Sequence, residues 1–194
     1  MNLNRLIISI FLIIFSLQSL TKADDIRDFQ IEGMSTVDSL LSFVSEDQIK
    51  NNKKDWFRNT KYSISAYRNL SNFYDEIQIT FKTNDKNKNI EGIEALKDFP
   101  KNIKGCLNEL QNVRNIVFDL FEDDNIIEHK IKTHKHTNPK SNNSYITDVM
   151  FDFESDDRIL IACYEDKDEK YIDGLRLSAR TKEYEYFLNY EAYR

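Results

Sequence analysis

Glu76-Ile77-Gln78-Ile79-Thr80-Phe81-Lys82 carries the clearest periodicity in the chain. Ile77, Ile79 and Phe81 alternate with Glu76, Gln78, Thr80 and Lys82. A period of two sets one strand face against a core and the other towards solvent. The stretch therefore predicts a half-buried strand. Its neighbours extend that strand into a sheet: Tyr62-Ser63-Ile64-Ser65-Ala66 alternates upstream, residues 84–89 read as a turn, and residues 90–96 read as a third strand with Gly92 as a candidate bulge. Strands in close series with polar turns pair antiparallel, because parallel neighbours need a long crossover.

Helical patterns flank this unit. Residues 26–31 read as a short opening strand. Ser35 followed by Asp38 then resembles a capping box at the start of a helix with Val37, Leu40, Leu41 and Val44 on one face. Ser45 with Gln48 repeats the signal for a second short helix. After the break at Pro100-Lys101-Asn102, residues 103–121 form the longest amphipathic pattern, with Cys106, Leu110, Val113, Val117 and Leu120 on its apolar stripe.

The second half is strand-rich. Ile127, His129, Ile131 and Thr133 share one face, Val149, Phe151 and Phe153 another, and a turn at 154–158 leads into a strand over 159–164. Beyond an acidic loop, Leu175, Leu177 and Ala179 alternate with Arg176, Ser178 and Arg180, and Thr181 caps a last helix through Tyr184, Phe187 and Leu188. The order implies an α+β fold, an antiparallel sheet with helices packed on one face. The helix-then-strands pattern occurs twice, as a duplicated unit would leave it.

The N-terminus has the three parts of a secretory signal peptide: Arg5 in a short n-region, the apolar run of residues 6–17, and a polar segment ending Thr21-Lys22-Ala23. The apolar run is shorter than the roughly 20 residues a spanning helix needs. The reading is a signal peptide over 1–23, cleaved after Ala23, and a single α+β domain over 24–194, with no membrane span after cleavage and a periplasmic or secreted location. The whole chain has 27 basic and 33 acidic side chains, and cleavage removes Arg5 and Lys22 but no acid. A domain of that charge repels nucleic acid and anionic lipid.

Cys106 falls on a helix stripe and Cys163 on the apolar face of a strand, with Ile159 and Ile161. In an oxidising compartment an even pair forms a disulfide, and closing that loop contributes about 4 kcal/mol on the chain-entropy model.

Few residues point to chemistry. His134 and His136 share a strand side, with His129 at the opposite parity, but Lys130 and Lys132 beside the pair repel a cation, so no metal site is assigned. Asp166-Lys167-Asp168-Glu169 begins like a calcium loop, yet Tyr171 and Leu177 stand where glycine and glutamate are required. Arg176 and Arg180 share a strand face, with Arg158 on the preceding turn. Guanidinium groups so placed suit a carboxylate or phosphate ligand; the alternative is pairing with Asp148, Asp152 or Glu165. Trp56, Phe57, Tyr62, Tyr67, Phe73 and Tyr74 cluster after the opening helices, and Tyr184, Tyr186, Phe187, Tyr190 and Tyr193 ring the last helix. There is no nucleophile elbow, zinc-protease motif, P-loop or dinucleotide fingerprint, hence no catalytic residue and no cofactor to assign.

The opening Asp25-Ile26-Arg27-Asp28-Phe29-Gln30-Ile31-Glu32-Gly33-Met34-Ser35, with Asp38-Ser39-Leu40-Leu41 after it, resembles the start of a group of small uncharacterised exported bacterial proteins. Residues 176–183 (RLSARTKE) and Cys163-Tyr164 are similar to the same group. A second likeness is to the small envelope lipoproteins of outer-membrane assembly and to the β-lactamase-inhibitor-like fold, which also open with a Gly-Met-Ser helix start, a second helix and three strands. The chain lacks the lipidated cysteine of those lipoproteins, so neither a tether nor a functional residue is carried across.

Two functions are compatible with these residues. One is a non-catalytic periplasmic binding or envelope-assembly module that meets an envelope protein through its sheet face or aromatic surface. The other is a small periplasmic hydrolase using dispersed Asp, Glu and Arg residues.

Overall fold

The computed structural model describes residues 25–122, 126–136, 144–166 and 172–194. Residues 1–23, read above as a signal peptide, and most of the calcium-loop-like stretch lie outside the described residues. Nine strands form one antiparallel sheet: β1 (Lys53–Lys54), β2 (Tyr62–Tyr67), β3 (Glu76–Lys82), β4 (Ile90–Asp98), β5 (Ile127–Glu128), β6 (Lys132–Lys135), β7 (Tyr145–Asp152), β8 (Arg158–Glu165) and β9 (Gly174–Arg180). Their order is β1-β2-β3-β4-β9-β8-β7-β5, with β6 also paired to β7. Each half of the chain makes its own meander, and the two last strands, β4 and β9, meet at the centre. The fold is α+β, an antiparallel sheet with helices packed on it.

Among the described residues three α-helices complete it: α1 (Glu46–Asn52), α2 (Ile103–Leu120) and α3 (Lys182–Tyr190). Each has a side-chain cap on an otherwise orphaned N–H group. Ser45 and Gln48 form a reciprocal capping box on α1, Asn102 accepts from Gly105 N–H on α2, and Thr181 accepts from Tyr184 N–H on α3.

The inner face of the sheet carries Ile77, Ile79, Phe81, Ile93, Ala95, Phe151, Ile159, Ile161, Leu175 and Ala179, all buried. α2 covers it across β7, β8 and β9, and α1 packs on β2. Cys106, Leu110, Val113 and Val117 of α2 are buried, each apolar side chain contributing about 1.5–3 kcal/mol. Phe121 rather than Leu120 completes the stripe: its ring lies 4.9 Å from Phe153, while Leu120 is exposed. Cys106 is bonded to Cys163 of β8, which ties helix to sheet across a separation of 57 residues.

Two helices thus share the inner face, while α3 packs on the outer one. Gly92 makes that approach feasible, since a Cβ there would sit 2.5 Å from the Tyr184 ring. Tyr184 also accepts a hydrogen bond from Thr80 Oγ1 at 3.1 Å, and Tyr62, Tyr184 and Phe187 form a second, smaller core. Gln78 and Thr80, expected to face solvent, are consequently buried.

The opening segment departs from its sequence pattern. Residues 26–28 form a 3-10 turn capped by Asp25 instead of a strand. Ser35 and Asp38 do make the expected cap contact, Asp38 accepting from Ser35 N–H at 2.8 Å. No α-helix follows, because Val37 takes a positive φ of 71° and its N–H donates to Ile90 O, while Ile90 N–H donates to Asp38 O. The backbone groups that a helix would use are taken by the start of β4, leaving only a 3-10 turn at Leu40–Ser42.

β5 and β6 replace the single strand expected over 127–133. Ile127 pairs with Asp152 but Lys132 pairs with Asp148, so one extra residue is inserted between them. The bulge leaves His129 and His134 on the same outer face, each against its own carboxylate, and turns Thr133 to the inner face.

Candidate functional site

The outer face holds a continuous ladder of charged side chains built from β4, β9, β8, β7 and α3. Glu94 stands on β4 between two inward residues, Ile93 and Ala95, so it points outward opposite Ser178 of β9. Its carboxylate accepts from Arg176 Nη1 at 3.1 Å, from Arg180 Nη2 at 3.0 Å and from Ser178 Oγ at 3.3 Å. Arg180 Nη1 donates to Glu185 at 3.2 Å, and Glu185 in turn accepts from Arg158 Nη1 at 3.0 Å. Arg158 also grips Asp152, donating from Nε to Oδ1 at 2.6 Å and from Nη2 to Oδ2 at 3.2 Å, and Oδ2 also meets His129 Nε2 at 2.7 Å.

Electrostatics keep this ladder charged. Burial works against the Glu94 charge, but Arg176 and Arg180 outweigh it and hold the carboxyl below its usual range. Asp152 is held low in the same way, burial being overcome by Arg158 and His129. Burial above all pushes the Tyr184 phenol well above its ordinary range, against the Thr80 hydrogen bond and the Arg180 charge. A general acid working near neutral pH needs a raised carboxyl pKa; Glu94 and Asp152 are moved the other way.

The structure therefore brings Arg176, Arg180 and Arg158 onto one face and gives each a carboxylate. Asp152 is one of the partners expected from the sequence; Glu94 and Glu185 are not. Outward parity within residues 90–96 was the available signal for Glu94, but nothing in the sequence sets β4 beside β9. The three arginines are not equivalent. Arg180 is 15% exposed and spends both Nη groups on acids, and Arg158 is gripped from two sides. Arg176 is 41% exposed, commits only Nη1, and lies over the Tyr164 ring with its guanidinium carbon 4.4 Å from the centroid. Its Nε and Nη2 make no hydrogen bond among the described residues.

A cleft of about 60 Å³ opens beside this pair, lined in part by Tyr164, Ile172, Gly174 and Arg176. Another of about 20 Å³ lies between Glu94, Arg180 and Tyr184. Both are far below the ~300 Å³ that encloses a small-molecule ligand, so what the ladder offers is a surface.

His134 Nε2 meets Asp148 at 2.8 Å, His136 lies against Tyr164, and no group of three or more metal-capable side chains occurs among the described residues. The aromatic residues separate. Tyr62 and Tyr67 are buried on opposite faces of β2, Phe57 packs against Phe187, and Phe73 lies under the Lys97 ammonium. Trp56, Tyr186, Tyr190 and Tyr193 remain exposed, with the Tyr186 and Tyr190 rings 4.8 Å apart on the solvent side of α3. No helix among the described residues is long and apolar enough to cross a membrane. Comparison with known proteins finds no matching family model, no matching curated protein and no matching solved structure.

Proposed function

We propose that the protein is an exported, non-catalytic binding module that engages an envelope protein through the outer face of its sheet, with Arg176 and Tyr164 as the anchor. The observation that carries this reading is the asymmetry within the ladder. Arg180 and Arg158 are consumed by the fold, while Arg176 is oriented by one hydrogen bond and one ring and keeps two donor groups for a ligand. Arginine and tyrosine are both enriched among interface hot spots. Its preset geometry lowers the entropic cost of association. The hydrolase reading gains no support from the ladder, whose carboxylates Glu94 and Asp152 are stabilised in their charged forms. Export is supported by the signal-like residues 1–23 and by the Cys106–Cys163 bond, a linkage that persists in oxidising compartments.

The test is native co-purification of the mature protein from its own cell envelope, with mild cross-linking and mass spectrometry, in parallel with Tyr164→Ala and Arg176→Ala. A stoichiometric partner retained by the parent and lost from both variants, at unchanged circular dichroism, supports the reading. A partner-free monomer, or a partner indifferent to both substitutions, sinks it.

A further inference from the structure

A second surface lies at the β5–β6 edge of the sheet. Among the described residues β6 has one strand neighbour, β7, and all four of its residues are exposed. His136 N–H donates to Ser144 O at 2.9 Å, which sets the phase of the ladder. Lys132 and His134 then turn their backbone groups towards β7, while Thr133 and Lys135 turn theirs away. The side chains agree with that phase, since the Thr133 and Thr147 hydroxyls lie 2.9 Å apart, as in a close non-hydrogen-bonded pair. His134 Nδ1 approaches Lys135 O at 3.4 Å. Thr133 N–H, Thr133 C=O and Lys135 N–H are left without a partner among the described residues.

An edge of this kind is a template for another strand. The charge on it decides which. The chain is acidic, with a net charge of −6, yet Lys130, Lys132 and Lys135 are exposed and meet no carboxylate among the described residues. Two copies joined through β6 would set lysines against lysines, which opposes self-pairing. Ile127 and Ile131, 63% and 43% exposed, add apolar surface along the same edge. We infer that β6 accepts, by strand addition, an extended segment of a partner protein that alternates acidic with apolar residues. The lysines disfavour a basic strand and favour an acidic one, and Thr133 and Lys135 supply the backbone hydrogen bonds.

The full mature chain is titrated with a short blocked peptide of alternating glutamate and valine, and with a lysine–valine peptide as control. The expected result is saturable binding of the acidic peptide alone, weakening as salt is raised, with new amide-exchange protection at Thr133 and Lys135. Lys135→Glu weakens it by about tenfold or more through like-charge opposition. Thr133→Pro removes the outward N–H while an edge strand tolerates proline, so it abolishes binding, whereas Thr133→Val, which keeps the N–H, preserves it. The inference is overturned by no binding of the acidic peptide, equal binding of both peptides, or protection elsewhere on the molecule. Dimerisation of the protein through Thr133 would overturn it too, by making the occupant a second copy.

Discussion

The two faces of the sheet are held by different physics. The inner face is apolar, covered by α2, α1 and the opening segment, and fastened by the Cys106–Cys163 bond. The outer face is held at one end by α3 and elsewhere by paired charges running from Arg176 to His129. Burial on the inner side is non-directional and tolerates imperfect neighbours. The ladder depends on each partner, because a desolvated charge that loses its counter-ion costs more than the pair contributed. The inner face therefore stabilises the fold by bulk burial, and the outer face holds a polar surface whose shape depends on each pair.

The largest expected effect is on the inner face. Replacing both cysteines with alanine should lower unfolding free energy by about 4 kcal/mol, read from urea denaturation, with the outer-face ladder intact in the surviving native state. A loss below about 1 kcal/mol would mean that the bond is dispensable to the core. Next comes Glu94→Gln, which strips a carboxylate from two arginines at once and should cost about 3 kcal/mol. The same pair sets an acid limit. Because Glu94 titrates lower when folded than its ordinary value of 4.5, its contribution is present above that value and is lost as pH falls through the folded one. The parent should therefore lose stability steeply in acid, and Glu94→Gln should flatten that part of the profile.

Gly92→Ala should cost about 2 kcal/mol by driving a methyl group into Tyr184. The loss should appear as faster amide exchange in α3 ahead of any change in α2. Arg176→Ala should cost less than about 1 kcal/mol, as half-exposed pairs do, while removing partner binding. If it destabilised the protein as much as Glu94→Gln, Arg176 would be part of the scaffold and the division within the ladder would fail.

The smallest effect concerns His134. Its hydrogen bond to the Asp148 carboxylate raises its pKa above 6.5, against burial and the nearby Lys132 charge. A raised folded value stabilises the attachment of β6 to β7 below the unfolded pKa, and the gain disappears as pH rises through the folded one. Exchange protection factors in β6 should be modestly higher at pH 6 than at pH 8, and His134→Gln should erase the difference.

Much of this fold is readable along the chain because local patterns and burial agree. The alternation at 76–82, 159–164 and 175–180 gave true strand faces, and the Ser45–Gln48 and Thr181 signals marked real caps. Patterns failed where another part of the chain competed for the same backbone. The helix expected after Ser35 yields to pairing with Ile90, and the strand expected over 127–133 is broken by a bulge that leaves His129 and His134 on one face. The arginines were recognisable as a set, but which one stays available was not, because that depends on Glu94 and Glu185 arriving from distant segments.

Residue order by itself determined the type of the strongly periodic elements, the inward side of each strong strand and the two cysteines that face a core, since these follow from periodicity over neighbouring residues. Only the tertiary structure decided that β4 meets β9, that α3 crosses to the outer face over Gly92, and that Arg176 is the arginine of the three left half-exposed, with only Nη1 hydrogen-bonded among the described residues. Those outcomes depend on contacts between segments far apart in the chain, and no local period encodes them.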